Sequence, residues 1–123
     1  MTGRTISVAV VEDDAGLRES LRLLVSEADG FRCAGAWGSA EEGLARLAED
    51  RPDVLFLDIR LPGEPGSRAV RRFVERFPGL VVVMLTLYAE DGDVFEALCN
   101  GASGYLLKKT PPAAILEAAA EAF

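Results

Sequence analysis

The chain has 123 residues, half of them hydrophobic, and a formal net charge of −7. This length predicts one domain with a hydrophobic core of its own, and the acidic balance argues against direct binding of nucleic acid, because phosphate contacts require clustered lysine and arginine. The chain has no histidine, which excludes serine–histidine triads, histidine metal sites and a histidine phospho-donor within it.

Strand-like and helix-like stretches alternate along the chain, beginning with a strand. In the first half, the predicted elements are a strand at Ile6–Val11, a helix at 17–28, a strand at Phe31–Trp37, a helix after Ser39 and a strand at Pro52–Leu57. In the second half, they are a helix around Arg68–Phe77, a strand at Leu80–Leu85, a helix at Glu90–Asn100, a strand at Gly104–Leu107 and a last helix that Pro111 and Pro112 open. The strands are largely apolar, which is typical of parallel strands covered on both faces. We therefore expect an open, doubly wound α/β fold with five parallel strands.

Short polar residues mark the predicted helix starts. Asp13 or Asp14 is placed to cap the first helix. Ser39 is placed to cap the second, and Glu42 stands three residues later, as in a capping box. Gly30 follows the first helical stretch, as a helix stop does.

Polar residues follow four of the five predicted strands. Glu12 and Asp13 follow the first strand, Asp58 the third, Thr86 the fourth and Lys108 the fifth. In a doubly wound sheet these strand ends meet at one crevice. Carboxylates held that close repel each other unless a cation lies between them, and hard oxygen donors without histidine or cysteine favour Mg²⁺. Lysine pairs well with phosphate, and a carboxylate can form an aspartyl phosphate.

The cysteine spacing and the lengths of the apolar runs predict a protein of a reducing compartment that does not insert into a membrane. Cys33 and Cys99 are isolated and lack metal-type spacing, so we expect them to be small buried hydrophobic residues. No apolar run approaches the length of a membrane span, and the first residues lack the plan of a signal peptide. We therefore expect a cytoplasmic protein that does not contact membranes.

Four segments in order resemble the receiver domains of two-component response regulators. These segments are VVEDD, FLDIRLPG, VVVMLT and GASGYLLKK. The resemblance covers essentially the whole chain, so it implies a receiver domain over residues 1–123 with a flavodoxin-like, CheY-like (βα)5 fold. It also implies a protein that is not an enzyme in the usual sense, but one that catalyses its own phosphotransfer and dephosphorylation.

The resemblance assigns roles to individual positions. Asp58 resembles the phosphoacceptor, and Glu12 and Asp13 resemble the acidic pair that holds Mg²⁺. Asp58 and the backbone carbonyl of Arg60 resemble the remaining protein ligands of the metal. Thr86, Tyr105 and Lys108 are assigned to the switch and the phosphoryl group: the hydroxyl that closes on that group, the aromatic ring that turns inward with it, and the lysine that pairs with its oxygens.

The YLLKKTPP and DIRLPG segments most resemble receivers of the NarL/FixJ/LuxR type, which carry a helix-turn-helix DNA-binding domain. This implies a sensor histidine kinase as partner, an output domain outside this chain that contacts DNA and regulates transcription, and a possible homodimer. The dimer would use the face of the fourth helix, fifth strand and fifth helix, or the first and fifth helices. The bond between Lys108 and Lys109 is predicted to be trans, because a non-proline cis bond is costly.

Two other functions fit parts of the pattern. A receiver with no output domain, or with a different one, would act by docking a partner protein. A Mg²⁺-dependent phosphatase with an aspartyl nucleophile would usually need a second aspartate two residues after the nucleophile, and Arg60 stands there instead.

Overall fold

Five parallel strands form one sheet in the order β2-β1-β3-β4-β5 in the computed structural model, which describes residues 5–88 and 92–123. The strands are β1 (Ile6–Val11), β2 (Phe31–Trp37), β3 (Val54–Asp58), β4 (Val81–Thr86) and β5 (Gly104–Leu107). The helices are α1 (Ala15–Glu27), α2 (Ala40–Arg46), α3 (Gly66–Arg76), α4 (Gly92–Cys99) and α5 (Pro112–Ala122), and a 3-10 turn at Leu47–Glu49 follows α2. The predicted doubly wound α/β fold is confirmed.

Alternate residues of the central strands pack into two separate cores. In β1, Val8 and Val10 face the core that α1 and α5 cover, whereas Ala9 and Val11 face the core that α2, α3 and α4 cover. All five residues of β3 are buried, because this strand lies in the middle of the sheet and has helices on both faces. Burial on both faces explains why the strands are apolar rather than alternating in sequence.

The predicted element bounds need small corrections. Strand β3 begins two residues later than predicted and includes Asp58, which pairs with Leu85 of β4. Helix α3 begins at Gly66, two residues before the predicted start. The first two residues of the predicted helix Glu90–Asn100 lie outside the described residues.

The helix caps agree with the sequence patterns except in one detail. Asp14 caps α1 by accepting hydrogen bonds from the backbone N–H groups of Gly16 and Leu17. Ser39 caps α2 by accepting from the N–H of Glu42, but the Glu42 carboxylate accepts from the N–H of Gly38 rather than Ser39. The second hydrogen bond of the capping box, the one that the Glu42 carboxylate accepts, therefore comes from one residue earlier than expected.

The prediction that both cysteines are buried is wrong for Cys99. Cys33 is half-buried and packs against the core beneath α1 and α5, whereas Cys99 is exposed. The reason lies in the orientation of α4, which turns Val94 and Ala97 towards the sheet and leaves Cys99 on its outer side. No helix within the described ranges is long and apolar enough to cross a membrane.

Candidate functional site

Three carboxylates meet at the carboxyl edge of the sheet. Strands β1 and β3 are neighbours, with Val11 paired to Leu57, so the residues that follow these two positions lie side by side. One carboxylate oxygen from each of Glu12, Asp13 and Asp58 lies within 4.8 Å of the others. The predicted acidic cluster is thus assembled by the direct pairing of two distant segments.

The three carboxylates differ in their access to water. Glu12 is fully buried, Asp58 is 1% exposed and Asp13 is exposed. Backbone N–H groups hold the two buried side chains in place: Asp14 donates to Glu12 Oε2 at 3.0 Å, and Arg60 donates to Asp58 Oδ1 at 3.1 Å. Two buried oxygens therefore have fixed orientations, and the exposed Asp13 carboxylate closes the cluster from the solvent side.

Lys108 lies between the two buried carboxylates. Its Nζ is 3.0 Å from Glu12 Oε1 and 3.1 Å from Asp58 Oδ2, and its side chain is 17% exposed. Although these contacts are short, neither oxygen has an aligned hydrogen-bond donor among the described residues. The ammonium group thus places one positive charge beside both buried oxygens, and each carboxylate oxygen keeps acceptor capacity for another cation.

The crowding of charge shifts three pKa values. Burial raises the pKa of Asp58 to about 8, and hydrogen bonds with Glu12 and Asp13 favour its protonated form. The hydrogen bond from Asp58 lowers the pKa of Asp13 below its usual value. Burial by itself would lower the pKa of Lys108, but its contacts with Glu12 and Asp58 outweigh burial and raise it. One carboxyl group of the cluster therefore holds a proton near neutral pH when no cation is bound.

This donor set fits Mg²⁺. All three side chains offer hard carboxylate oxygens, two of the oxygens lack an aligned donor, and the cluster contains neither histidine nor cysteine. A divalent cation there would favour the ionised form of Asp58 by offsetting the burial and the repulsion that raise its pKa.

An open cavity of about 320 Å³ lies over the cluster. Its lining includes Asp13, Asp58, Arg60, Thr86, Leu87 and Lys108. Thr86 ends β4 and is buried, and its hydroxyl donates a hydrogen bond to the carbonyl of Tyr88 at 3.2 Å. The threonine side chain is thus held by its own turn, beside the cavity that Asp58 lines.

The other predicted site residues lie at different distances from this cavity. Arg60 is one of its lining residues, while the role of its carbonyl as a metal ligand stays a prediction. Tyr105 lies outside the cavity on β5 and is 42% exposed. Lys109 is exposed and the bond between Lys108 and Lys109 is trans, as predicted.

Two residues that support the site were missed by the sequence reasoning. Arg18 on α1 donates from Nη1 to the carbonyl of Glu12 at 2.8 Å, which anchors the loop after β1. At Gly66, a Cβ atom would lie 1.8 Å from the carbonyl oxygen of Asp58, so α3 can start there only with glycine. Gly66 stood inside a Pro- and Gly-rich loop in the sequence, and Arg18 had no sequence signal beyond its place in the first turn of α1.

The model of the response regulator receiver domain family matches residues 8–120. The chain belongs to this family. Among curated proteins, the receiver is 33% identical over 113 residues to the response regulator GacA of Pseudomonas syringae pv. syringae, covering 92% of this chain and 53% of GacA. It is 36% identical over 103 residues to the DNA-binding transcriptional activator DevR/DosR of Mycobacterium tuberculosis, covering 84% of this chain and 48% of that protein. The receiver thus spans about half the length of the curated relatives it matches.

Solved structures give the same family and fold. A two-component response regulator of the LuxR family from an Aurantimonas species has a TM-score of 0.86 and 26% identity, covering 95% of this receiver and 84% of that chain. A CheY-like receiver domain protein from Methanospirillum hungatei has a TM-score of 0.85 and 26% identity, covering 95% and 92%. The predicted family, its NarL/LuxR-type likeness and the CheY-like fold are therefore confirmed.

Proposed function

We propose that this receiver accepts a phosphoryl group on Asp58 in a Mg²⁺-dependent reaction, and that the modification switches an output surface. The observation that supports this most directly is the convergence of Glu12, Asp13 and Asp58 with Lys108 at one cavity. A purely structural role does not explain why three carboxylates are grouped near one lysine. This arrangement raises the pKa of Asp58 and lowers the stability of the folded state.

The chemistry follows from the placement of the side chains. The ionised Asp58 oxygen attacks phosphorus, so an O–P bond forms while the bond from phosphorus to the donor breaks. With a phosphohistidine donor, the imidazole leaves with that electron pair and takes up a proton. Mg²⁺ would be held by Glu12, Asp13 and Asp58, and by the carbonyl of Arg60, and it would neutralise charge on the transferring group.

Lys108 and Thr86 would bind the phosphoryl group once it is attached to Asp58. Lys108 already contacts Asp58, so its ammonium is within reach of oxygens attached to that carboxylate. The Thr86 hydroxyl must leave the carbonyl of Tyr88 in order to donate to a phosphoryl oxygen. This movement shifts the turn after β4 and is the first step of the switch, with the inward rotation of Tyr105 as its second.

We assign the donor to a sensor histidine kinase, since the chain has no histidine. The NarL/LuxR-type relatives support a DNA-binding output domain outside this chain that regulates transcription. Phe95 and Leu98 on α4 and Tyr105 on β5 are exposed, and this supports the α4-β5-α5 face as a docking or dimer surface.

The proposal is tested by incubating the protein with Mg²⁺ and acetyl phosphate and following its intact mass. We expect one added phosphoryl group, lost when EDTA is present and lost in Asp58→Ala. Beryllofluoride should bind the wild-type protein with Mg²⁺ and should not bind Asp58→Ala. Phosphorylation that persists in Asp58→Ala, or that is absent from the folded wild-type protein, would overturn the assignment.

A further inference from the structure

Two side chains of α4 and that of Asn100, which follows the helix, contact three arginines from the β3–α3 segment. The pairs are Arg60 with Asp93 (3.3 Å), Arg68 with Glu96 (3.7 Å) and Arg71 with Asn100 (3.2 and 3.0 Å). The α4 members are spaced three and then four residues apart, so they lie along one face of the helix. This face is therefore tied to its neighbour by a row of polar contacts.

Of the six residues in these pairs, only Arg60 also lines the cavity over Asp58. Arg60 stands two residues after Asp58, donates its N–H to Asp58 Oδ1 and is one of the residues that line the cavity. Two residues of backbone span at most about 7 Å, a distance that an arginine side chain can cover. The Arg60 guanidinium is thus within reach of two anions, the carboxylate of Asp93 and whatever is attached to Asp58.

Resting on the function proposed above, we propose that Arg60 exchanges partners when Asp58 is phosphorylated. In the unmodified receiver, its guanidinium pairs with Asp93 on α4. After phosphorylation, it binds the phosphoryl oxygens beside Lys108, and the contact with Asp93 is lost.

The energetics of the two pairs favour this exchange. The Arg60 and Asp93 side chains are 65% and 40% exposed, and ion pairs this open to water contribute little. A phosphoryl group carries about −1.5 to −2 charges and offers three strong acceptor oxygens. Guanidinium binds such a group through two parallel hydrogen bonds, so the phosphoryl group is the better partner.

The exchange would loosen α4 at one end only. Glu96 and Asn100 would keep their contacts with Arg68 and Arg71, because neither arginine lines the cavity over Asp58. The first turn of α4, which carries Asp93, would then lose its ion pair with Arg60. Arg60 would in this way connect the phosphoryl group to the helix that carries the exposed Phe95.

Beryllofluoride affinity in Mg²⁺ buffer tests the exchange, with calorimetry as the readout. Arg60→Gln should weaken binding about tenfold, because one charge-assisted contact is lost. Asp93→Asn should tighten binding about two- to fivefold, because Arg60 is released from its resting partner. Glu96→Gln is the matched control, since it removes one negative charge from the same face and should change affinity by less than about twofold.

A double variant separates release of Arg60 from a simple change in charge. In the Arg60→Gln background, Asp93→Asn should change the affinity by less than about twofold. Equal tightening in both backgrounds, or no tightening in either, would overturn the partner exchange. An unchanged affinity in Arg60→Gln would also overturn it, while leaving phosphorylation at Asp58 intact.

Hydrogen exchange at the α4 amides gives a second readout. Beryllofluoride should speed exchange in the first turn of α4 in the wild-type protein, and Arg60→Gln should show the faster rate before any ligand is added. Equal rates in wild-type and Arg60→Gln proteins without ligand would overturn the resting contact with Asp93. Failure of the wild-type protein to bind beryllofluoride at all would instead overturn both the function and the exchange.

Discussion

Asp58 is a buried acid whose surroundings favour its neutral form. It is 1% exposed, and burial raises its pKa to about 8. In the proposed reaction the same carboxylate must be ionised to attack phosphorus, and the raised pKa would keep it partly protonated in the metal-free receiver. On this proposal, cation binding and activation of Asp58 would be coupled.

The raised pKa of Asp58 predicts a pH-dependent stability in metal-free buffer. Between pH 4 and pH 8 the folded state holds a proton that the unfolded chain releases, so the free energy of unfolding should fall as pH rises through this range. Asp58→Asn removes this term, so it should be nearly as stable as wild type at pH 4 and at least about 2 kcal/mol more stable at pH 8. Urea unfolding with EDTA measures the difference.

Asp29→Asn is the control for this experiment. It removes an exposed carboxylate next to Gly30, at the opposite edge of the sheet, and should not reproduce the pH-dependent gain. Equal stability of Asp58→Asn and wild type at pH 8 would contradict the burial argument.

The two adjacent lysines should differ in their effect on stability. Lys108→Ala leaves Glu12 and Asp58 without their shared ammonium group, and we expect a loss of about 2 kcal/mol in metal-free buffer. Lys109→Ala removes an exposed charge and should leave both stability and Mg²⁺-dependent phosphorylation nearly unchanged. Urea unfolding with and without Mg²⁺ compares them, and similar losses in the two variants would rule out a special role for Lys108.

At the scale of elements, the start of α3 fixes the position of Asp58. The N–H of Ser67 donates to the carbonyl of Ile59, and Gly66 lies directly against the carbonyl of Asp58. The first residue of α3 thus packs directly onto the backbone at the end of β3, without any side chain between them. This close approach holds the loop that carries both Asp58 and Arg60.

The close approach predicts that Gly66 cannot be replaced by alanine. A Cβ at Gly66 would overlap a backbone atom, which cannot move aside as a flexible side chain would. Gly66→Ala should therefore cost about 3 kcal/mol and weaken beryllofluoride binding. Gly92→Ala is a matched control, because Gly92 also opens a helix and a Cβ there would meet nothing within 4 Å among the described residues. Thermal unfolding compares the two, and a Gly66→Ala protein as stable as Gly92→Ala would refute the packing.

At the scale of the whole molecule, the strand order assembles the site. Because β1, β3, β4 and β5 are successive neighbours, four distant segments deliver their end residues to one edge. The result is a cluster with three carboxylates and one ammonium group, in a chain that is already acidic. A divalent cation that binds this cluster would stabilise the entire fold, since it binds only when the strands are in place.

Mg²⁺ should therefore raise the free energy of unfolding. At a concentration about 100 times its dissociation constant, the gain should be about 2.7 kcal/mol, and EDTA should reverse it. Asp13→Asn should abolish most of the gain. Asp14→Asn should retain it, because asparagine also serves as an N-cap. A gain that survives in Asp13→Asn, or none in wild type, would place the cation elsewhere.

Local patterns in the sequence were sufficient for the elements and for the chemistry at their ends. Each of these features depends on a few neighbouring residues. This holds for the bounds of β2 and β5, the caps at Asp14 and Ser39, and the set of strand-end residues. Side-chain periodicity and capping act over one or two turns, so a reader of the sequence can recover them. Family resemblance then supplied the roles that single residues could not indicate.

Only the tertiary structure decided how distant side chains meet. It placed Lys108 between Glu12 and Asp58, brought Arg60 to Asp93, and pressed Gly66 against Asp58. It also turned Cys99 outwards, contrary to expectation, because helix orientation depends on packing against the sheet. The contacts of Lys108 and of Arg60 join segments tens of residues apart, and their geometry is set by crossovers and packing that no local sequence window contains. The sequence by itself determined which groups stand at the strand ends, and the fold decided which of them touch.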